Sequence, residues 1–261
     1  MRRAGFAQPM CLIGLKISAK GSLLIAANRD EYADRPTAAM HWWSEGILAG
    51  KDLKAGGTWL GVTKSGRFAA VTNVRDPLIK DNPVPRGSRG LLVKEFLLSQ
   101  TSPQDFIDRL NQDLALASAF NLIVGTVDVT NSNTVNCWWL GGRTRQSQAL
   151  TAGSYVLSNA ELNTPWPKSI RLQEALEGND RATILQSLQH RTLANDDQLP
   201  RTGVPWDWEK RLSAAMITGD DYHTRSTTLI EAGDAGVTAH EITWYPDGQI
   251  HSELRESFSL V

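Results

Sequence analysis

Cys11 follows Met10 directly and opens an apolar run, Cys11 to Ile17, whereas residues 1–9 contain Arg2, Arg3, Gly5 and Pro9 and show no apolar periodicity. Were translation to begin at Met10 and that methionine to be removed, Cys11 would carry a free α-amine. Such an amine, with an ordinary pKa of about 8, is a usable base for its own thiol, so one residue would supply nucleophile and base. The other reading of Cys11 is a small buried hydrophobe in an edge strand. On the first reading residues 1–9 are a dispensable extension and residues 10–261 form a single domain.

A second cluster, Asn28-Arg29-Asp30-Glu31, stands immediately after the apolar stretch Leu23 to Ala27. An aspartate at a strand end can accept a hydrogen bond from an ammonium or thiol, and an arginine can grip a carboxylate in a bidentate fork. In that reading Asp30 orients the Cys11 amine. The alternative is an Asx-type turn at Asn28, with Arg29 and Glu31 as a solvated ion pair of little worth. Asn73 and Asn159 stand at two further strand ends, Val71-Thr72-Asn73 and Leu157-Ser158-Asn159. Carboxamides are neutral donors that stabilise a developing oxyanion without ionising, which suits acyl transfer; each could equally be a turn residue. Thr164-Pro165-Trp166-Pro167 is a stiff apolar segment that either walls a pocket or covers a sheet edge.

These residues need a scaffold, and the pattern supplies one. Cys11 to Ile17 and Ser22 to Ala27 read as strands joined at Ala19-Lys20-Gly21, and Thr58 to Thr63 and Phe68 to Asn73 as a second hairpin around Lys64-Ser65-Gly66. A loop is expected from Asn28 to Pro36. Pro83, Pro85 and Gly87 mark a surface loop, after which Ser88 caps a helix carrying Leu91, Leu92, Phe96 and Leu97. Ser102-Pro103-Gln104-Asp105 starts another. Asn121 to Asp128, Val135 to Leu140 and Gly153 to Ser158 read as strands punctuated by Asn131-Ser132-Asn133 and Gly141-Gly142. Two helices follow between Lys168 and Leu188, and Ser226 to Glu231, Val237 to Tyr245 and Gln249 to Phe258 close as a meander. Asn195 to Trp208, rich in Asp, Pro and Gly, reads as an inserted loop. Strand runs separated by helix pairs, with no βαβ alternation and no repeat, point to one α+β domain of stacked antiparallel sheets with helices outside.

Composition excludes several functions. The chain has 27 Lys+Arg against 28 Asp+Glu, a net charge of −1 that gives no long-range attraction to nucleic acid. Its 2 cysteines, Cys11 and Cys137, form neither a CxxC pair nor a zinc spacing, so no metal site is expected and a reducing cytoplasm is the default location. The most apolar uncharged stretch, Leu114 to Val127, is too short and too polar to span a bilayer. Met1-Arg2-Arg3 mimics a secretory start, but Pro9 and Lys16 break the apolar segment behind it.

Met10-Cys11, Ala26-Ala27-Asn28-Arg29-Asp30-Glu31, Gly56-Gly57-Thr58-Trp59-Leu60-Gly61, Phe120-Asn121-Leu122-Ile123, Leu157-Ser158-Asn159-Ala160, Thr164-Pro165-Trp166 and Thr224-Arg225-Ser226 run in order along the chain. Together they resemble the NRDE family, also called the transport-and-Golgi-organisation protein two family. The resemblance implies the four-layer αββα sandwich of N-terminal-nucleophile hydrolases. Within that superfamily, cysteine enzymes of the penicillin V acylase and bile salt hydrolase type offer the nearest catalytic pattern. By resemblance Cys11 corresponds to their nucleophile, Asp30 to their amine-binding aspartate, and Asn73 and Asn159 to their oxyanion and turn amides. The arginine that precedes Asn-x-Asp in those enzymes falls here on Ala27, while Arg29 sits between Asn28 and Asp30; Arg225 is the candidate to replace it. Asn28, Arg29, Glu31, Trp59 and Trp166 complete the expected site.

The resemblance also implies a competing role, because proteins of this type are implicated in haem trafficking and lipid metabolism. The chain would then be a non-catalytic carrier of haem or of an acyl-CoA-like ligand, whereas hydrolysis needs no cofactor and takes a small-molecule amide or thioester. His41, His190, His223, His240 and His251 are scattered, and His223 and Met10-Cys11 are the strongest ligand candidates. The adjacent pairs Trp42-Trp43 and Trp138-Trp139 either line a flat ligand site or split between core and surface faces of a strand.

Overall fold

Period-two alternation decides how the first hairpin packs. In the computed structural model, which describes residues 10–75, 88–113, 120–128 and 134–261, Met10–Ile17 (β1) pairs antiparallel with Leu23–Tyr32 (β2). Ile13, Leu15, Ile17, Leu23, Ile25 and Ala27 face one side of this hairpin and Leu12 and Ala26 the other, so both faces are covered. The extension 1–9, the Pro83–Gly87 loop, the turn at Asn131-Ser132-Asn133 and the start of the Leu114–Val127 stretch lie outside the described residues.

The remaining strands are Thr37–Trp42 (β3), Ile47–Asp52 (β4), Leu60–Thr63 (β5), Arg67–Asn73 (β6), Phe120–Asp128 (β7), Thr134–Gly141 (β8), Gln146–Leu150 (β9), Gly153–Leu157 (β10), Tyr222–Gly233 (β11), Gly236–Trp244 (β12) and Ile250–Phe258 (β13). They form two antiparallel sheets. The first has the order β10-β1-β2-β11-β12-β13 and the second runs from β3 to β9 in chain order. Between them lies the main core, in which Ile13, Leu15, Ile25 and Ile230 meet Leu48, Phe68, Ile123 and Trp139. Each such large apolar side chain withdrawn from water contributes about 1.5–3 kcal/mol.

The helices cover the outer faces. Arg89–Leu98 (α1) and Pro103–Gln112 (α2) begin where the sequence expects, with Ser88 Oγ accepting from the Gly90 N–H and Ser102 Oγ from the Asp105 N–H. Their Phe96 and Phe106 pack edge to face, with centroids 5.0 Å apart, over Val71, Leu122 and Leu140 of the second sheet. Pro167–Gly178 (α3) and Arg181–Leu188 (α4) set Leu172, Leu176, Ile184 and Leu188 against Leu12, Ala26 and Leu229 of the first. The result is the four-layer αββα sandwich, an α+β fold. None of these helices is long and apolar enough to cross a membrane.

Five elements depart from the sequence reading. β2 does not end at Ala27 but continues to Tyr32, so Asn28 to Glu31 are strand residues and the expected loop shrinks to the few residues before β3. The strand persists because it is paired on both sides: Met10 lies opposite Asp30 on β1, and Tyr222 and His223 lie opposite Tyr32 and Glu31 on β11. β3 and β4 form a hairpin the sequence reading omits, and β9 is likewise additional. The segment expected as an inserted loop carries a short helix, Trp206–Arg211 (α5).

Candidate functional site

Because successive side chains of a strand point to opposite faces, β2 delivers its polar residues to two places. Arg29 and Glu31 continue the face of Ile25 and Ala27, toward the second sheet. Asn28 and Asp30 continue the face of Ala26, toward the helices. On β1 the same rule sends Cys11 between the sheets and Met10 to the helical side, and the register puts Cys11 directly opposite Arg29.

Beyond the ends of the core, Cys11, Arg29 and Glu31 open onto a cavity of about 550 Å³ between the sheets, a size that suits a small organic molecule. Asn73 at the end of β6, Arg225 and Ser226 on β11, and Trp59 before β5 line it as well. So do Arg35, Lys51, Asp52, Glu241, Trp244 and His251, which the sequence reading did not select, and Arg89 at the start of α1. One wall depends on glycine at a close approach. A Cβ on Gly57 would lie 2.5 Å from the carbonyl carbon of Gly90, where α1 meets the segment leading to β5.

Arg29 pairs with Glu31 at 3.4 Å and donates to Thr37 Oγ1 at 3.2 Å. Arg35 grips both oxygens of Asp52, the shorter contact being 2.6 Å. Glu241 Oε1 accepts from the Met40 N–H at 2.6 Å and Oε2 from Thr228 Oγ1 at 3.2 Å. Burial pushes the Glu241 and Glu31 carboxyls up, and Arg29 and the Tyr32 N–H partly restore Glu31. Arg225 Nη1 donates to the carbonyls of Tyr32, Ala33 and Arg35 at 3.0, 3.2 and 3.3 Å. Burial drives the Cys11 thiol far above the ordinary thiol range, and Asp30 and Glu31 raise it further; Arg29 and a hydrogen bond from the Asp30 backbone pull it down.

Behind the first sheet lies a second polar group. Asp30 is fully buried; its Oδ1 accepts from Thr224 Oγ1 at 2.6 Å, and its Oδ2 has no hydrogen-bond partner among the described residues. Burial raises the Asp30 carboxyl to about 6, against the pull of Lys168, Thr224, Arg75 and Arg29. Lys168, buried on α3, donates to the Leu212 carbonyl at 2.9 Å, and burial lowers its ammonium to about 8. Met10 is wholly enclosed beside Tyr222 and Leu212: its N–H donates to Tyr222 Oη at 2.9 Å and its sulfur accepts from Arg75 Nε at 3.3 Å. Arg75 continues to Glu209 of α5 at 2.6 Å and lies 4.8 Å over the Trp166 ring.

The expected site residues are thus divided between these two places. Cys11, Asn73, Arg225, Arg29, Glu31 and Trp59 meet at the cavity. Asp30, Asn28, Asn159 and Trp166 do not line it. Asn28 is occupied: its amide donates to the Leu188 and Ala215 carbonyls, each at 2.7 Å, and its oxygen accepts from Thr227. The Asn159 amide donates to the Asn73 carbonyl at 2.9 Å and so stands behind Asn73. Of the haem-ligand candidates, Met10 faces the helical side and His223 does not line the cavity, whereas Cys11 does. No cluster of three or more His, Cys, Asp or Glu side chains fit for a metal ion occurs among the described residues. Arg75, Lys168 and Glu209 carried no local signal in the sequence, since each acquires its partners from distant segments.

A sandwich of two antiparallel sheets between helices, with a thiol and a cluster of charged side chains facing a cavity between the sheets, defines the structural class. The family model described as Transport and Golgi organisation 2 matches residues 10–246, and the chain belongs to that family. It is 34% identical over 272 residues to the transport and Golgi organization protein 2 homolog of Homo sapiens, covering 94% of this chain and 97% of the relative. It is 35% identical over 250 residues to the Mus musculus homolog, covering 85% and 88%. Among solved structures, it is similar to a conjugated bile acid hydrolase from Clostridium perfringens, with TM-score 0.47, 10% identity, and 95% and 96% of the two chains covered. An N-acylethanolamine-hydrolyzing acid amidase ortholog from Caenorhabditis elegans gives TM-score 0.41 and 11% identity, with 84% and 92% covered.

Proposed function

We propose that the protein, once Cys11 is its first residue, is an N-terminal-cysteine hydrolase acting on an amide or thioester of a small molecule. The observation that carries this reading is the Asp30 carboxylate. Its second oxygen is buried with no hydrogen-bond partner among the described residues, and it stands cross-strand from Met10, the residue whose removal would leave an ammonium on Cys11. A buried carboxylate oxygen left unpaired costs free energy that a charged donor would recover.

In the proposed reaction the α-amine takes the thiol proton, with Asp30 holding the resulting ammonium and Arg29, directly across the ladder, favouring the thiolate. The sulfur attacks the carbonyl carbon and the electron pair of the C=O bond moves to oxygen. Asn73 donates to that oxyanion from the cavity wall, and Asn159 positions Asn73 through the Asn73 carbonyl. Collapse expels the amine or thiol, which takes the proton from the α-ammonium, and water then releases the acyl group from sulfur. With Met10 in place this base is missing and burial keeps the thiol protonated. The free thiol is suited to a reducing compartment such as the cytoplasm.

The test compares protein beginning at Cys11 with protein retaining Met10, each treated with 4-nitrophenyl acetate and weighed intact. An acetyl adduct is expected on the first form, absent in Cys11→Ser and strongly slowed in Asp30→Asn. Equal labelling of both forms, or an adduct surviving Cys11→Ser, overturns the reading. A second reading, a carrier of haem or an acyl-CoA-like ligand in the same cavity, is favoured by the thiol's protonation when Met10 is retained. Stoichiometric haem binding by that form, with no acylation of either, would support it.

A further inference from the structure

Around the cavity, cations outnumber carboxylates among the described residues. Three carboxylates line it, and each is engaged: Glu31 with Arg29, Asp52 with Arg35, and Glu241 with the Met40 N–H and Thr228. Five cations among the described residues line it, Arg29, Arg35, Lys51, Arg89 and Arg225, two more than the carboxylates. Arg225 has no carboxylate within ion-pair distance among the described residues. One of its terminal nitrogens is fixed by three backbone carbonyls of the segment from Tyr32 to Arg35, which holds the guanidinium in one orientation. Lys51 is likewise without a carboxylate and lies 4.6 Å over the Trp43 ring. Trp59, Val71 and Trp244 supply an apolar wall to the same cavity.

A guanidinium held rigidly by neutral acceptors, partly removed from water and lacking an anionic partner, is arranged as a receptor for an anion from outside the chain. We propose that the ligand of this cavity carries an anionic oxygen group, a carboxylate or a phosphate, beside an apolar portion, and that Arg225 binds that group. The start of α1, whose first turn holds no acidic residue and whose Ser88 and Gly90 line the same cavity, places its positive end toward the same space. The inference uses the cavity of the proposed reaction and does not depend on the chemistry of the thiol.

The experiment measures binding of decanoate, decyl phosphate and decanol by calorimetry, in the full chain and in Cys11→Ala. Tighter binding of one or both anions than of decanol, by about tenfold or more, is expected in both proteins. Which anion leads identifies carboxylate or phosphate as the group recognised. Arg225→Gln should reduce the preference to less than about threefold with decanol binding unchanged, and Arg225→Lys should retain part of it. Raising salt from about 50 to 500 mM should weaken the anions and spare decanol, a readout that needs no variant. Equal affinity for all three probes, binding of none, or an anion preference untouched by both salt and Arg225→Gln overturns the inference. Anion preference without acylation of the Cys11-initiated form refutes the hydrolase reading alone; acylation without anion preference refutes this inference alone.

Discussion

The ion pair between Arg75 and Glu209 binds α5 to the end of β6, and breaking it tests how the helical side of the first sheet is held. The two side chains are 3% and 2% exposed and 2.6 Å apart. At an effective dielectric of about 20 their gross attraction is roughly 6 kcal/mol, most of it offset by the cost of removing two charges from water. Glu209→Gln keeps the shape and the acceptor for Thr202, but it sets an amide against a buried guanidinium that has lost its counter-charge. Arg75→Met keeps the stem beside Met10 and Trp166 but strands a carboxylate. Each single variant should lose about 3–5 kcal/mol. The double variant, which strands no charge, should lose at least about 2 kcal/mol less than the two combined. Urea unfolding followed by tryptophan fluorescence reads all four proteins, Trp166 lying against the altered arginine. A coupling below about 0.5 kcal/mol would refute the reasoning, because the pair would then be an incidental contact.

Three further outcomes are expected. The Asp30 carboxyl is raised from 3.8 to about 6 in the folded protein, so the stability it contributes is full below 3.8 and is lost as pH rises through about 6. Asp30→Asn should therefore gain about 2 kcal/mol relative to the parent between pH 4 and 7 in parallel urea titrations, and superimposable pH profiles would contradict this. Gly57→Ala forces a methyl against the Gly90 backbone and should cost about 1–3 kcal/mol while distorting the cavity wall; an unchanged melting temperature would show that α1 yields freely. Of the two buried free thiols, iodoacetamide should reach Cys11 through the cavity and modify Cys137 only on unfolding, with the Cys11 rate still climbing above the ordinary thiol range; peptide mass mapping against pH decides.

Elements whose partners lie close by were legible in the sequence. Ser88 and Ser102 announce their helices because capping is a matter of three or four residues, and the β1–β2 hairpin and the C-terminal meander follow from alternation across short turns. What escaped reading is what depends on distant pairing. Asn28 to Glu31 have the composition of a turn and become strand because Met10, Tyr222 and His223 flank them and because Leu188, Ala215, Thr227 and Thr224 satisfy their side chains. β3 and β4 were hidden for the same reason. β3 alternates irregularly, slipping register between Ala38 and His41, and it borrows Glu241 from the other sheet to satisfy the Met40 N–H. With that hairpin unread, Arg35, Lys51 and Asp52 could not be placed at the cavity.

β2 has a consequence for how this chain tolerates changes of length. Its odd-numbered polar residues serve the cavity and its even-numbered ones the helical side, and each set fits its own surroundings. A single residue gained or lost ahead of Asn28 would exchange the two sets, pressing the Arg29–Glu31 pair against α3 and α4 and turning a carboxamide and a carboxylate toward the ligand. No neighbouring loop could absorb such a slip, since strands bind β2 along both edges. Length variation among descendants of this sequence should therefore collect in its connecting segments and leave the stretch from Leu23 to Tyr32 at constant length, even where individual letters within it drift.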